Sequence, residues 1–346
     1  MKKFLLVVAL ATFLFTARTA TAAHKFRLVG NGTPGSLLFI FAEEFAESVN
    51  TLSQGELVIE PYAAGVLFPV FETFDNIANG VVDMELLFGL YWTGKDPHFN
   101  LLSRPGCPIR TFEEAAYLES KLLDWQNKLY SRFGITHLGA INVNTINEQL
   151  LSTVPIDNLE DIKGKKIRSS GFGAKFYGAL GASTVSLSAP EVYPAFQTRN
   201  IDAGEWTMWE DNMRMGLHEV VSYVLDPALH CGIIEYMPLC VNTKKWEALP
   251  QHLKDIVQVA REQALFRASQ LYIEEIKAKE KWKALPNIKI VTWNEEDTKK
   301  AREVGLGLML EECNKTDLGK EYLEIYRGVL WELGYKDEAA FLGYKS

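Results

Sequence analysis

Residues 161–206 constrain this chain more than any other stretch. They read DIKGKKIRSSGFGAKFYGALGASTVSLSAPEVYPAFQTRNIDAGEW. The hydrophobic period predicts a short strand over 165–169 and a helix over about 174–180. A second strand, 184–187, and a second helix opened by Ser188 and Glu191 follow. Ser188-x-x-Glu191 is a capping box, in which the hydroxyl accepts an orphan helix N–H and the carboxylate reaches back. Strand–helix–strand–helix in about forty-five residues is a βαβ unit, so the two strands should be parallel and adjacent. Ligands of open α/β sheets bind just outside the carboxyl ends of the strands. Arg168 stands at that end of the first strand. Glu205-Trp206 stands just past the second helix, where the next strand would begin.

The ends of the chain bound its setting. Residues 1–22 read as a secretory signal peptide: Lys2-Lys3 are the basic start, 4–15 the apolar run, and Ala20-Thr21-Ala22 the small-residue cleavage site. That run is shorter than the roughly 20 apolar residues a membrane span needs, and 81–92 is broken by Asp83 and Glu85. The expectation is an exported, periplasmic protein that does not itself insert into a membrane. Losing Lys2, Lys3 and Arg18 takes the net charge from −8 to −11, which argues against nucleic acid or an anionic membrane surface as partner. Four cysteines remain: Cys107, Cys231, Cys240 and Cys313. The compartment permits disulfides, but a chain this large does not need them, so buried free thiols are expected. No C-x-x-C is present.

Strand 26–30, helix 36–52 and strand 57–60 repeat the strand–helix–strand logic. A short helix 70–78 leads to strand 82–88 and an irregular loop over 90–107. Thr111-x-x-Glu114 caps a helix to about 133, and strand 135–142 closes one α/β lobe. A strand at 148–152 opens the second lobe, which continues through a helical 207–219 and a strand 222–225. The apolar strand 237–242 returns to the first lobe. Residues 251–285 hold no Gly and no Pro, and their apolar residues recur at helical spacing. At 1.5 Å per residue such a helix reaches about 50 Å, long enough to lie across both lobes as a strut. A strand over 288–293 and helices over 295–313 and 318–333 complete the chain. The lobes therefore interleave: 24–145 with about 234–268 form lobe 1, and 146–233 with about 269–346 form lobe 2.

Catalytic motifs are missing. There is no G-x-S-x-G elbow and no P-loop. His218-Glu219 begins a zincin motif, but Ser222 stands where the second His is required. Gly171-Phe172-Gly173 opens a helix after a strand, yet Phe176 fills the third glycine position of a dinucleotide fingerprint. The expectation is not an enzyme. Arg168 is the candidate anion anchor, because a planar guanidinium suits a carboxylate; its bland reading is the end of the solvated 163–166 charge run. Glu205-Trp206 is the second candidate, a carboxylate beside an aromatic wall that Trp209 could extend. Tyr91-Trp92 sits in the irregular loop, as a lid on the core or a wall for a ligand. His230 lies where the chain crosses between lobes and suits a hydrogen-bonded structural role.

The runs Leu159-Glu160-Asp161-Ile162-Lys163-Gly164-Lys165-Lys166-Ile167-Arg168, Leu180-Gly181-Ala182, Pro190-Glu191-Val192-Tyr193, Ile201-Asp202-Ala203-Gly204-Glu205-Trp206 and Val241-Asn242-Thr243-Lys244-Lys245-Trp246-Glu247-Ala248-Leu249-Pro250 resemble one family. It is the extracytoplasmic solute-binding subunit of tripartite ATP-independent periplasmic (TRAP) transporters, and the resemblance covers nearly all of residues 24–346. It implies an α/β, two-lobe periplasmic binding protein fold, class II-like, whose lobes are joined by crossing strands and a long spanning helix. It implies an organic acid as ligand, held at its carboxylate by Arg168 and delivered to small and large membrane permease subunits. Glu205-Trp206 resemble the branch for 2-oxo or 2-hydroxy monocarboxylates, in which the Glu side chain and the Trp main-chain carbonyl can hold a Na⁺ or Ca²⁺ ion that bridges to the solute. That branch has a glutamine as third ion contact. Asn147 is the nearest match here, at a different spacing. Trp206, Trp209 and Tyr91, with Trp92 and His230 nearby, would also suit an aromatic or dicarboxylic acid.

Overall fold

The computed structural model describes residues 24–345, so the expected signal peptide lies outside the described residues. The first sheet is built from β1 (His24–Val29), α1 (Leu37–Leu52), β2 (Leu57–Tyr62), α2 (Thr73–Ala78), β3 (Met84–Leu86), α3 (Phe112–Ser131) and β4 (Ile135–Val143). The second follows with β5 (Leu150–Ser152), β6 (Lys166–Arg168), α4 (Gly171–Ala179), β7 (Ser183–Val185), α5 (Ala189–Gln197), β8 (Ala203–Glu205), α6 (Trp209–Arg214) and β9 (Tyr223–Leu225). The chain then returns as β10 (Glu235–Asn242) and α7 (Thr243–Glu247). It ends in α8 (Gln251–Ser269), α9 (Leu271–Lys283), β11 (Lys289–Val291), α10 (Glu295–Cys313), α11 (Asp317–Glu332) and α12 (Lys336–Phe341).

Among the described residues the strands make two sheets, ordered β2-β1-β3-β10-β4 and β11-β9-β5-β8-β6-β7. The expected βαβ unit is present, with β6 and β7 parallel and in register from Lys166–Ser183 to Arg168–Val185. Its helix begins at Gly171, three residues earlier than the apolar period suggests. Gly171 adopts φ +55°, and a Cβ there would stand 3.1 Å from the Leu90 carbonyl oxygen, so the chain can turn off Arg168 and approach the first lobe only without a side chain. Glu191 accepts from the Ser188 N–H at 2.8 Å, as expected of the cap. At α3 only half of the expected box forms. Thr111 accepts from the Glu114 N–H, but the Glu114 carboxylate reaches one residue further back, to the Arg110 N–H at 3.0 Å.

The return of β10 is the main link between the lobes. It lies antiparallel between β3 and β4. The segments that carry the chain across, before β5 and before β10, run side by side. Asn144 donates its N–H to the Ile234 carbonyl at 3.1 Å, and Ala228 donates to the Glu148 carbonyl at 3.0 Å.

The expected strut over 251–285 is two helices in succession. At Gln270 the N–H turns to the Arg267 carbonyl, three residues back, at 3.2 Å, and the regular ladder is interrupted there. The backbone stays right-handed, so the pair still spans the molecule: α8 packs on β4 and α1, and α9 on α6. A further difference concerns the last helices. Trp125 of α3 meets Tyr322 of α11 edge to face at 4.9 Å and donates its indole N–H to the Leu318 carbonyl at 2.8 Å. Residues 317–341 therefore pack with the first lobe, not with the second as expected of 269–346. No helix of the described residues is long and apolar enough to cross a membrane. All four cysteines are buried, and none of them is in a disulfide.

Candidate functional site

Sheet direction brings the site together. Parallel β6 and β8 end side by side, with Arg168 opposite Gly204. Glu205 therefore closes a strand, rather than beginning the next one as expected, and stands at the same edge as Arg168. β5 runs the other way, pairing Leu150 with Glu205. Its antiparallel direction delivers the residues just before it, including Glu148, to that edge. The lobe crossing before β10 adds His230 and Cys231, and the first lobe adds Phe88, Leu90 and Tyr91. These residues line one small cavity, about 350 Å³ with its mouth included.

Arg168 is 3% exposed, so it is no member of a solvated charge run. Its Nη1 donates to the Glu205 carboxylate and to the Glu205 carbonyl at 2.7 Å. Nε and Nη2 donate to the Leu187 carbonyl at 3.1 and 2.9 Å. Nη2 also donates to the Tyr91 hydroxyl at 3.3 Å. Tyr91 comes from the first lobe and Arg168 from the second, so the lobes are shut across this cavity. The Trp206 ring lies 5.0 Å from the guanidinium carbon, in cation–π range. Burial pushes the Tyr91 hydroxyl above its ordinary range, and the Arg168 charge offsets part of that rise. The hydroxyl therefore remains a neutral donor and acceptor.

The expected site residues divide. Arg168, Glu205, Trp206, Tyr91 and His230 line the cavity. Trp92 does not: it packs on Phe74 with ring centroids 5.5 Å apart and donates to the Phe71 carbonyl, so the Tyr91-Trp92 pair is one wall residue and one core residue. Trp209 is buried against Trp282 at 5.8 Å and faces a separate, larger cavity along α9. Asn147 lines that second cavity too; two residues before β5 rather than three would have put it at the Glu205 edge. Glu148 takes that place. It was not singled out from sequence, and its only signal was adjacency to the strand start. Cys231, Ser103 and Ser170 were missed for the same reason: they are ordinary loop residues until the crossings fold.

His230 is held from both sides. Its Nε2 lies 3.1 Å from a Glu148 carboxylate oxygen and its Nδ1 3.2 Å from the Tyr177 hydroxyl, with the Tyr177 ring stacked at 5.6 Å. Gly173 makes room for it, since a Cβ there would lie 3.3 Å from the imidazole. Two carboxylates, Glu148 and Glu205, thus share a cavity with one guanidinium. Such oxygen donors suit a hard cation such as Na⁺ or Ca²⁺. Glu205 lines this cavity, whereas Asn147 lines the second one.

Known proteins share this architecture. Residues 29–313 match the model of the bacterial extracellular solute-binding protein family 7. A monocarboxylate 2-oxoacid-binding periplasmic protein of Nostoc is 24% identical over 84% of this chain and 79% of its own length. The crystal structure of a TRAP periplasmic solute-binding protein from Pseudoalteromonas atlantica with bound sodium and pyruvate superimposes with a TM-score of 0.80. It is 23% identical and covers 93% of this chain and 100% of that one. A second, from Colwellia psychrerythraea with bound calcium and pyruvate, also scores 0.80, at 22% identity over 93% of this chain and 100% of that one.

Proposed function

We propose a solute-capture role for this chain, which belongs to the bacterial extracellular solute-binding protein family 7. It takes up a small 2-oxo or 2-hydroxy monocarboxylate in the periplasm and presents it to the small and large permease subunits of a TRAP transporter. The observation that carries this reading is the buried Arg168 guanidinium, which reaches from one lobe to Tyr91 of the other inside a shared cavity.

Charge accounting makes the reading specific. Every nitrogen of the guanidinium is already engaged. A solute carboxylate takes over Nη1 by displacing the Glu205 side chain, because two anions and one cation in a buried site leave one charge uncompensated. A Na⁺ or Ca²⁺ ion held by the Glu205 carboxylate and the Trp206 main-chain carbonyl would offset that charge. When bound there, such an ion would supply positive charge beside Glu205 and the solute carboxylate. The 2-oxoacid-binding relative from Nostoc, and the sodium and calcium found with pyruvate in two similar structures, support an ion beside a short acid. Solute contacts to both lobes favour the closed state and shift an open–closed equilibrium towards it.

Calorimetry of the mature protein against pyruvate and longer 2-oxo acids, with Na⁺, Ca²⁺ or chelator, tests the proposal. Affinity should rise with one of the ions. Failure of every monocarboxylate to bind under all ion conditions would sink it.

A further inference from the structure

The cavity wall holds a donor set that the solute-capture reading does not use. Glu148, His230 and Cys231 are all buried, and one ligand atom from each lies within 4.8 Å of the other two. We propose that these three residues form a site for a zinc-class divalent ion in the wall of the solute cavity, separate from the oxygen-donor ion position at Glu205.

The chemistry selects the ion. Imidazole, carboxylate and thiolate together suit Zn²⁺ and its neighbours in the first transition row, whereas Na⁺ and Ca²⁺ take oxygen alone. The geometry is close to what such an ion needs. Bonds of roughly 2.0–2.3 Å at tetrahedral angles put neighbouring donors about 3.3–3.8 Å apart. His230 Nε2 and Glu148 Oε2 are 3.1 Å apart, close to the spacing of two donors on one ion.

The supporting groups also match. A metal-bound imidazole has its other nitrogen held by a hydrogen bond that fixes the ring; Tyr177 does this at Nδ1, 3.2 Å away. The second carboxylate oxygen of Glu148 is held by the Asn144 side-chain amide at 3.3 Å. The backbone beneath is pinned as well: Ser103 donates to the His230 carbonyl at 3.2 Å, and Gly232 donates to the Ser103 carbonyl at 3.0 Å. A plain buried Glu–His pair accounts for Glu148 and His230, but not for a thiol at the third corner of the same opening. Three protein donors leave a fourth position, and the cavity these residues line is where a water or a solute oxygen would complete it. Glu148 lies on one lobe crossing and His230-Cys231 on the other, so the ion would tie the two crossings together.

Cobalt(II) gives a direct readout. The chelator-stripped full-length mature protein is titrated with Co²⁺, and uptake of one equivalent with a thiolate-to-cobalt band in the near ultraviolet is expected. Cys231→Ser should abolish the band, while Cys313→Ser, which removes a buried thiol elsewhere, should keep it. Tyr177→Phe, which retains all three donors, should weaken uptake by about 10–100-fold. Millimolar Ca²⁺ should not displace the cobalt. No stoichiometric uptake by the wild-type protein overturns the site, and so does a band that survives Cys231→Ser or cobalt that yields to Ca²⁺. Carboxylate binding measured on the same samples reports separately on solute capture.

Discussion

Removing the guanidinium should cost the protein both its ligand and part of its stability, and a second substitution should return only the stability. Arg168→Ala leaves the Glu205 carboxylate 6% exposed with no cation beside it. Breaking a buried pair from one side costs about 3–5 kcal/mol, chiefly because the remaining charge stays in a poor solvent. For a chain of this size about 2 °C is lost per kcal/mol, so a fall of roughly 6–10 °C in Tm is expected. Glu205→Gln alone is milder, about 1–2 kcal/mol, because Nη1 keeps the Glu205 main-chain carbonyl at 2.7 Å. In the double variant no buried charge is orphaned, and about 2–3 kcal/mol of the Arg168→Ala loss should return. Solute binding should not return. The charge-assisted hydrogen bond to Nη1, at about 1.5–3 kcal/mol, amounts to a loss of at least about 10-fold. Thermal melts without solute and calorimetry with it measure the two effects separately. A double variant no more stable than Arg168→Ala would refute the pairing argument, and undiminished solute affinity in either would refute the anchor.

Three further outcomes follow from the same geometry. Tyr91→Phe removes the 3.3 Å contact to Arg168 across the cleft and should weaken solute binding about 2–10-fold in calorimetry, with little change in Tm. Glu275, in α9, accepts from the Glu210 N–H at 3.0 Å, and burial pushes its carboxyl up to about 8. The folded state therefore keeps a proton that the unfolded state releases near its ordinary value. This contribution to stability is full below that value and is lost as pH rises towards about 8, by at most about 1.4 kcal/mol per pH unit. Glu275→Gln should flatten the decline between pH 5 and 8 in urea melts, and equal slopes would contradict the assignment. Asp211 of α6 accepts from the Leu37 N–H of α1 at 2.7 Å, joining the lobes; Asp211→Ala should cost about 1–3 kcal/mol by denaturant unfolding, and Asp211→Asn much less.

The sequence was most informative where local rules and tertiary structure agree. The βαβ unit, its Ser188 cap and the position of Arg168 at a strand end all follow from hydrophobic period and capping chemistry. The return of β10 to the first lobe was legible too, because an apolar strand followed by a helix has few places to go. The break at Gln270 was not, since neither Gly nor Pro marks it. Nor was the packing of 317–341 on α3, because an amphipathic helix declares which face it buries but not against what. The site failed in the same way. Arg168 and Glu205 belong to strand ends, and periodicity finds strand ends. Glu148 and Cys231 belong to crossings whose neighbours are set by the antiparallel direction of β5, which no short-range signal encodes.

The insertion of β10 between β3 and β4 has a bearing on how the protein is made. Until residue 242 has emerged, the N-terminal sheet is missing its fourth member in space and β4 has no partner. The early part of the chain cannot complete its sheet on its own while the rest is still being synthesised. A fragment ending at 145 should remain unstructured by circular dichroism, and the two halves of the molecule should gain protection from hydrogen exchange together rather than one after the other.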